Sequence, residues 1–211
     1  ELYAEYDLIN NHIIENSIQG KAQIKDAKIR FHKDVDAVNT KSLDIFFKDN
    51  RLHFNLMEPM FKDKKLDGSF VLINNLTSEK NGQVDVFLKT NSKLDKDILD
   101  ILKAYNITLP IIQKNGNTQA SLLMKFPYDT TKNMSTYGEF FLNDAKVAIN
   151  NFEFESKNAE VILDDSIIKI KNIDFKYKDM INATLNLNLD IKTLKSYGDA
   201  NIKSFLIKEE N

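Results

Sequence analysis

The chain has 211 residues, 42% of them apolar, and a formal charge of −2 from 29 basic and 31 acidic side chains. Both signs are interspersed with no basic block, which argues against nucleic acid as a partner. The absence of cysteine excludes disulfides and thiolate sites, and no apolar run of about 18 residues exists to cross a membrane as a helix. Glu1 is not an initiator methionine and no signal peptide follows, so the chain is read as a piece of a longer protein.

Residues 1–19 are ambiguous. Leu8, Ile9, His12 and Ile13 fit one helical stripe, interrupted by Asn10 and Asn11. From Gly20 the pattern turns to period two, through Ala22 and Ile24, then Ala27, Ile29 and Phe31. The alternation slips at Asp26, which predicts a bulge or bend there. A hairpin follows. Leu43, Ile45 and Phe47 face Leu56, Phe54 and Leu52 across a two-residue turn at Asp49-Asn50. All three cross-strand pairs are apolar, which pins the register. Gly68 opens a strand with Phe70 and Leu72, Val71 and Ile73 also being apolar. Gly82 opens another with Val84, Val86 and Leu88 on one side.

One helix is predicted over 94–105. Leu94, Ile98, Ile101, Leu102 and Tyr105 form its stripe, with Ser92 as N-cap and Asp95 three residues on. Its polar face mixes Lys and Asp, which fits a lid packed on a sheet better than a membrane-binding helix. Gly116 reopens strand pattern through Ala120, Leu122, Met124 and Phe126, closed by Pro127. Gly138 begins a last set: Phe140 and Leu142, Val147 and Ile149, Phe152 and Phe154, Val161 and Leu163, then Ile168 and Ile170. Ile181 to Ile191 alternates without a break, apolar at every odd position and Asn, Thr or Asp at every even one. A segment with Ala200, Ile202, Phe205 and Ile207 completes the chain.

The chain also repeats itself. Gly20 to Phe31 resembles Gly138 to Ile149, each with Asp-Ala-Lys beginning six residues after the glycine. Asp44 to Phe61 lies over Glu160 to Tyr177, and Lys62-Asp63 over Lys178-Asp179. The expected organisation is a single segment over 1–211 with an internal repeat of roughly 20–115 and 138–211. Repeated β units of this kind stack on their neighbours.

Chemistry is hard to find. His12, His32 and His53 share no spacing with a carboxylate that reads as a site, and Asp49 and Asp164-Asp165 sit where turns favour Asp. No phosphate loop, nucleophile elbow or zinc motif is present. The chain reads as non-enzymatic, with no cofactor and no metal. What remains is a quantity of long strands with one greasy face, which must pack, close into a barrel, or hold something apolar.

Gly116-Asn-Thr-Gln-Ala-Ser-Leu-Leu-Met-Lys-Phe-Pro127, Tyr137-Gly-Glu-Phe-Phe-Leu-Asn-Asp-Ala-Lys-Val147, Ala159-Glu-Val-Ile-Leu163 and Ile168-Lys-Ile-Lys-Asn172 together resemble the repetitive β region of the AsmA-like family, the group that includes YhdP and TamB. The resemblance implies a mainly β fold: long antiparallel strands in a curved, open sheet, a β-groove, with one short amphipathic helix. It implies a periplasmic location within a protein anchored in the inner membrane by a segment outside this chain. The implied partners are phospholipid or another acyl lipid, the membrane through that anchor, and neighbouring repeats of the same protein. The implied role is guidance of phospholipid between inner and outer membranes. The groove lining would be Leu43, Ile45, Phe47, Leu52, Phe54, Leu56, Leu122, Met124, Phe126, Val161, Leu163, Ile168, Ile170, Leu185, Leu187 and Leu189. The rival expectation is a β-sandwich used for structure or adhesion, with no lipid. A glycan-handling protein fits poorly, since tryptophan is absent.

Overall fold

Strands of ten or more residues with period-two patterning bury one face only when neighbours align their apolar rows, so the register decides the fold. The computed structural model describes residues 1–14, 17–78, 80–109, 112–149 and 152–206. Its strands are β1 (Leu2–Tyr3), β2 (Tyr6–Asp7), β3 (His12–Ile13), β4 (Gln19–Ile29), β5 (Val38–Lys48), β6 (Arg51–Met57), β7 (Met60–Phe61), β8 (Lys64–Lys65), β9 (Phe70–Asn74) and β10 (Gln83–Ser92). Helix α1 (Lys96–Ala104) follows, then β11 (Ile112–Pro127), β12 (Ser135–Ile149), β13 (Phe152–Asp164), β14 (Ile167–Tyr177), β15 (Ile181–Asp190) and β16 (Lys195–Phe205). The order is β1-β4-β5-β6-β9-β10-β11-β12-β13-β14-β15-β16, with β7 and β8 branching from β5. β2 and β3 form a separate two-stranded sheet. The mainly β, antiparallel character and the single short helix match the expectation.

Two compact units divide the chain. The first comprises 1–31, 36–89 and 122–136; the second comprises 32–35, 90–121 and 137–211. In the first unit the predicted hairpin is present with the predicted register: Leu43 opposite Leu56, Ile45 opposite Phe54, Phe47 opposite Leu52. Asp49 and Asn50 both have positive φ, at 52° and 58°, the geometry of a tight type I′ turn whose twist matches the strands. In the second unit Asp164 pairs with Ile167, so the turn is Asp165-Ser166 and Asp164 ends β13.

Several expectations change. Residues 2–13 form short strands rather than a helical stripe. Asn11, in the turn between β2 and β3, takes φ 55°, a local geometry that ends any helix. Asp95, not Ser92, caps α1: its carboxylate accepts hydrogen bonds from the N–H groups of Asp97 and Ile98, while Ser92 ends β10. Strand β11 begins at Ile112 and β12 at Ser135, both ahead of the glycines that seemed to open them. The alternating strand at 181 ends at Asp190. Ile207, and the side chains of Ile149, Phe152 and Phe154, lie outside what is described.

A buried polar knot holds the entrance to α1. Gln113 and Thr118 are 1% and 0% exposed. The Gln113 Oε1 accepts from the Leu94 N–H at 2.8 Å and from the Thr118 hydroxyl at 2.7 Å, and its Nε2 donates to the Asn115 carbonyl. Among the described residues no buried side-chain nitrogen or oxygen is left without a hydrogen-bond partner, as a buried site requires. Nothing in the local sequence around Gln113 announces a partner at position 94.

Candidate functional site

The registers assemble apolar rows within each unit. In the first unit one row runs Gly20, Phe47, Leu52, Ile73, Val84, and the next runs Ala22, Ile45, Phe54, Val71, Val86. Ile24, Leu43 and Leu56 continue the face. Ile73 and Val71 therefore join the hairpin's apolar face, not Phe70 and Leu72. Phe70 points the other way with Phe87, the two rings stacked at 5.1 Å.

In the second unit one row runs Gly138, Leu163, Ile168, Leu189, Ser196, and another runs Phe140, Val161, Ile170, Leu187, Gly198. Further rows are Ile173, Leu185, Ala200, then Phe175, Ala183, Ile202, then Tyr177, Ile181, Phe205. The opposite face carries most of the polar residues, with Phe141, Ile162 and Ile167 among them. Lys169 lies beside Asn188, Asp174 beside Thr184, and Lys176 beside Asn182.

Bulges keep this face apolar. Along β14 the apolar positions switch from even (Ile168, Ile170) to odd (Ile173, Phe175). The register with β15 shifts between Ile170 and Ile173 at that point. Along β16 they switch from Ile202 to Phe205, and the register with β15 again shifts, between Asn182 and Ala183. One extra residue restores the side-chain alternation to the same face and bends the strand locally. On β12 and β4 the switch falls at Asp144 and Asp26, which take φ 44° and 49°. Each is the Asp of an Asp-Ala-Lys triplet. At both, partner strands switch parity together, so Lys25 with Ser42 and Ala27 with Thr40 keep one register, as do Asn143 with Asn158 and Ala145 with Ser156. Ala27 and Ala145 beyond the switch are both buried.

The sixteen expected lining residues divide by exposure. Leu43, Leu56, Leu122, Met124, Leu163 and Ile168 are buried, Met124 and Leu163 completely. Ile45, Phe47, Leu52, Phe54, Phe126, Val161, Ile170, Leu185, Leu187 and Leu189 are half-buried and present apolar surface to their surroundings. Ile73 and Val84, outside that expected set, lie in one row with Phe47 and Leu52 and are half-buried as well. Their signal was the apolar run on either side of Gly82, readable only once the register of β9 was known.

Two open recesses lie elsewhere, at the left-handed Asp residues. One of about 630 Å³ is flanked by Asp144, Lys146, Lys157, Asp174 and Lys203; another of about 320 Å³ is flanked by Asp26, Lys28, Lys41 and Glu58. Beside the larger one runs a charge ladder. Lys114 and Lys146 reach Glu153 at 2.7 and 2.9 Å, and Lys146 also lies 3.7 Å from Glu155. Hydrogen bonds from Lys114 and Lys146, with their positive charge, pull the Glu153 carboxyl down to about 2. Lys203 bonds Asp174 at 2.5 Å and, with Thr184, holds that carboxyl below its usual range.

His32 stacks at 5.2 Å against Tyr105, and His53 lies on β6 between Phe46 and Leu72. Among the described residues no group of three or more His, Asp or Glu gathers as a metal site. No helix among them is long and apolar enough to cross a membrane.

Long antiparallel strands, apolar rows left partly open, and no gathered metal-ligating side chains among the described residues define a mainly β protein with half-open apolar faces. The family model described as YhdP protein matches residues 7–210, nearly the whole chain, and the chain belongs to that family. Membership is consistent with lipid transport in general. No curated protein and no solved structure matches the chain.

Proposed function

We propose that this chain is a periplasmic segment that holds lipid acyl chains against the apolar face of each unit and passes phospholipid between inner and outer membranes. It acts without catalysis and is tethered through an anchor outside these residues. The observation that supports this reading is the pair of registered rows, Phe47-Leu52-Ile73-Val84 and Phe140-Val161-Ile170-Leu187. Apart from the buried Phe140, their residues keep apolar surface half-exposed. A methylene moved from water onto such a surface gains about 0.8 kcal/mol, so a chain of several methylenes binds without any specific polar contact. The ten half-buried lining positions favour this reading over a sandwich, whose facing sheet would bury them. The internal repeat of roughly 20–115 and 138–211 belongs to the proposal. In its support, left-handed residues recur at Asp26 and Asp144, Asp49 and Asp165, and Lys62 and Lys178. Native mass spectrometry of the gently purified chain tests the reading: bound phospholipid is expected, and a lipid-free spectrum overturns it.

A further inference from the structure

The two recesses, one in each unit, are built alike. Each is lined, in the same chain order, by an Asp-Ala-Lys triplet (26–28 and 144–146), a hydroxyl-Lys pair (Thr40-Lys41 and Ser156-Lys157) and an acid (Glu58 and Asp174). The hydroxyl makes the same bond in both. Thr40 Oγ1 donates to the Ser42 carbonyl at 2.7 Å, and Ser156 Oγ to the Asn158 carbonyl at 3.1 Å. Each recess also closes one ion pair and leaves one group of each sign over. In the first, Lys41 holds Glu58 at 2.9 Å. The side chains of Asp26 and Lys28 make no hydrogen bond or ion pair among the described residues. In the second, Lys203 holds Asp174 at 2.5 Å, and the side chains of Asp144 and Lys157 are left over in the same way.

We propose that each recess binds a zwitterionic phosphate ester of a primary amine, its phosphate on the free lysine and its ammonium on the left-handed aspartate. A free carboxylate repels a simple anion and a free ammonium repels a simple cation, so a ligand of both signs satisfies the pair. The first recess is balanced, with Asp26 and Glu58 against Lys28 and Lys41, and offers a plain anion no net attraction. A quaternary ammonium has no N–H to give the carboxylate and is held by aromatic faces; the described lining of the first recess has none. Size also fits. The smaller recess, about 320 Å³, has the room of roughly ten liquid waters, enough for a phosphate with an aminoethyl arm. The site goes beyond the acyl-chain reading and does not depend on it, since a compound with no acyl chain serves as the probe.

The test is residue-resolved amide NMR of the chain titrated with glycerophosphoethanolamine. Shifts are expected at 26–28 and at 144–146, with a dissociation constant of about 1 mM for two charge-assisted bonds in an open recess. Glycerophosphoglycerol, which keeps the phosphate and lacks the amine, is expected to bind about ten-fold more weakly. Asp144→Asn preserves the left-handed backbone, which Asn also adopts. It is expected to abolish that preference at the second recess and leave the first unchanged, with an unaltered melting curve. Lys157→Gln is expected to weaken both compounds at the second recess. Dihexanoyl phosphatidylethanolamine below its micelle threshold distinguishes the sources. Tighter binding than the acyl-free compound assigns the recess to a lipid headgroup, and equal binding to a free phosphate ester. No shift at either recess at ~20 mM, well above that constant, overturns the proposal. Equal affinity for the two glycerophosphodiesters overturns it too, as does a preference that survives Asp144→Asn.

Discussion

Leu187→Asp separates lipid handling from folding. Leu187 is half-buried, with Ile170 on one side and Gly198 on the other. The glycine leaves room for a carboxylate to turn toward water. Burying a leucine completely contributes about 1.5–3 kcal/mol, so the half-burial lost here costs the fold about 1 kcal/mol and a melting shift of a few degrees. The effect on an acyl chain is larger. An ionised carboxylate keeps its hydration and denies the row to roughly three or four methylenes, at about 0.8 kcal/mol each. The sum, about 3 kcal/mol, is near a hundred-fold in affinity. Two controls bracket the result. Asn188→Asp alters the next residue, on the polar face beside Lys169 and Tyr197, and should leave lipid binding unchanged. Leu163→Asp places the charge where exposure is 0%, and should prevent folding, because a buried unpaired carboxylate costs several kcal/mol. The assay is lipid occupancy by native mass spectrometry beside thermal unfolding by circular dichroism. A folded Leu187→Asp protein that retains lipid as the parent does would refute the reasoning.

Three further outcomes follow from the same geometry. Gly116 has φ 83° and a Cβ there would lie 2.5 Å from the Asn143 and Asp144 carbonyls, whereas Gly68, at φ 84°, would meet only the Lys89 side chain at 3.4 Å. Gly68→Ala should therefore cost about 1–2 kcal/mol for the left-handed backbone, and Gly116→Ala a further 1–3 kcal/mol or so for forced overpacking; equal urea midpoints would contradict this. Glu153, held down to about 2, stabilises the fold fully above its ordinary value of 4.5 and loses that contribution as pH falls from 4.5 through about 2. Glu153→Gln should flatten the acid limb of stability over that window, as followed by denaturant titration at each pH. Asp95→Ala removes the cap of α1 and should lower stability by about 1 kcal/mol, with Ser92→Ala neutral by the same measurement.

Alternation alone determined a good deal of this protein. The Leu43–Leu56, Ile45–Phe54 and Phe47–Leu52 pairing was legible because a two-residue Asp-Asn turn and three matched apolar residues leave one register without exposing the apolar face. The long strand at Ile181 was legible because five apolar residues at odd positions admit only one face. The slip at Asp26 was legible in the alternation, and the shared Asp-Ala-Lys triplet lays Asp144 over it. The triplets could not tell that both partner strands slip together, since that depends on residues 15 or so positions away in sequence but adjacent across the ladder. Tertiary structure alone decided which of the expected lining residues remain accessible. Leu163 and Leu187 are the same residue type at equivalent alternating positions, yet one is sealed and the other half open. Both strands have a neighbour on either side, so alternation and pairing alone do not separate the two; their places in the sheet order differ. Leu163 lies between Gly138 and Ile168, and Leu187 lies between Ile170 and Gly198, next to β16, which closes the sheet order among the described residues. Local pattern sets the face a side chain takes, and only the sheet order sets what covers it.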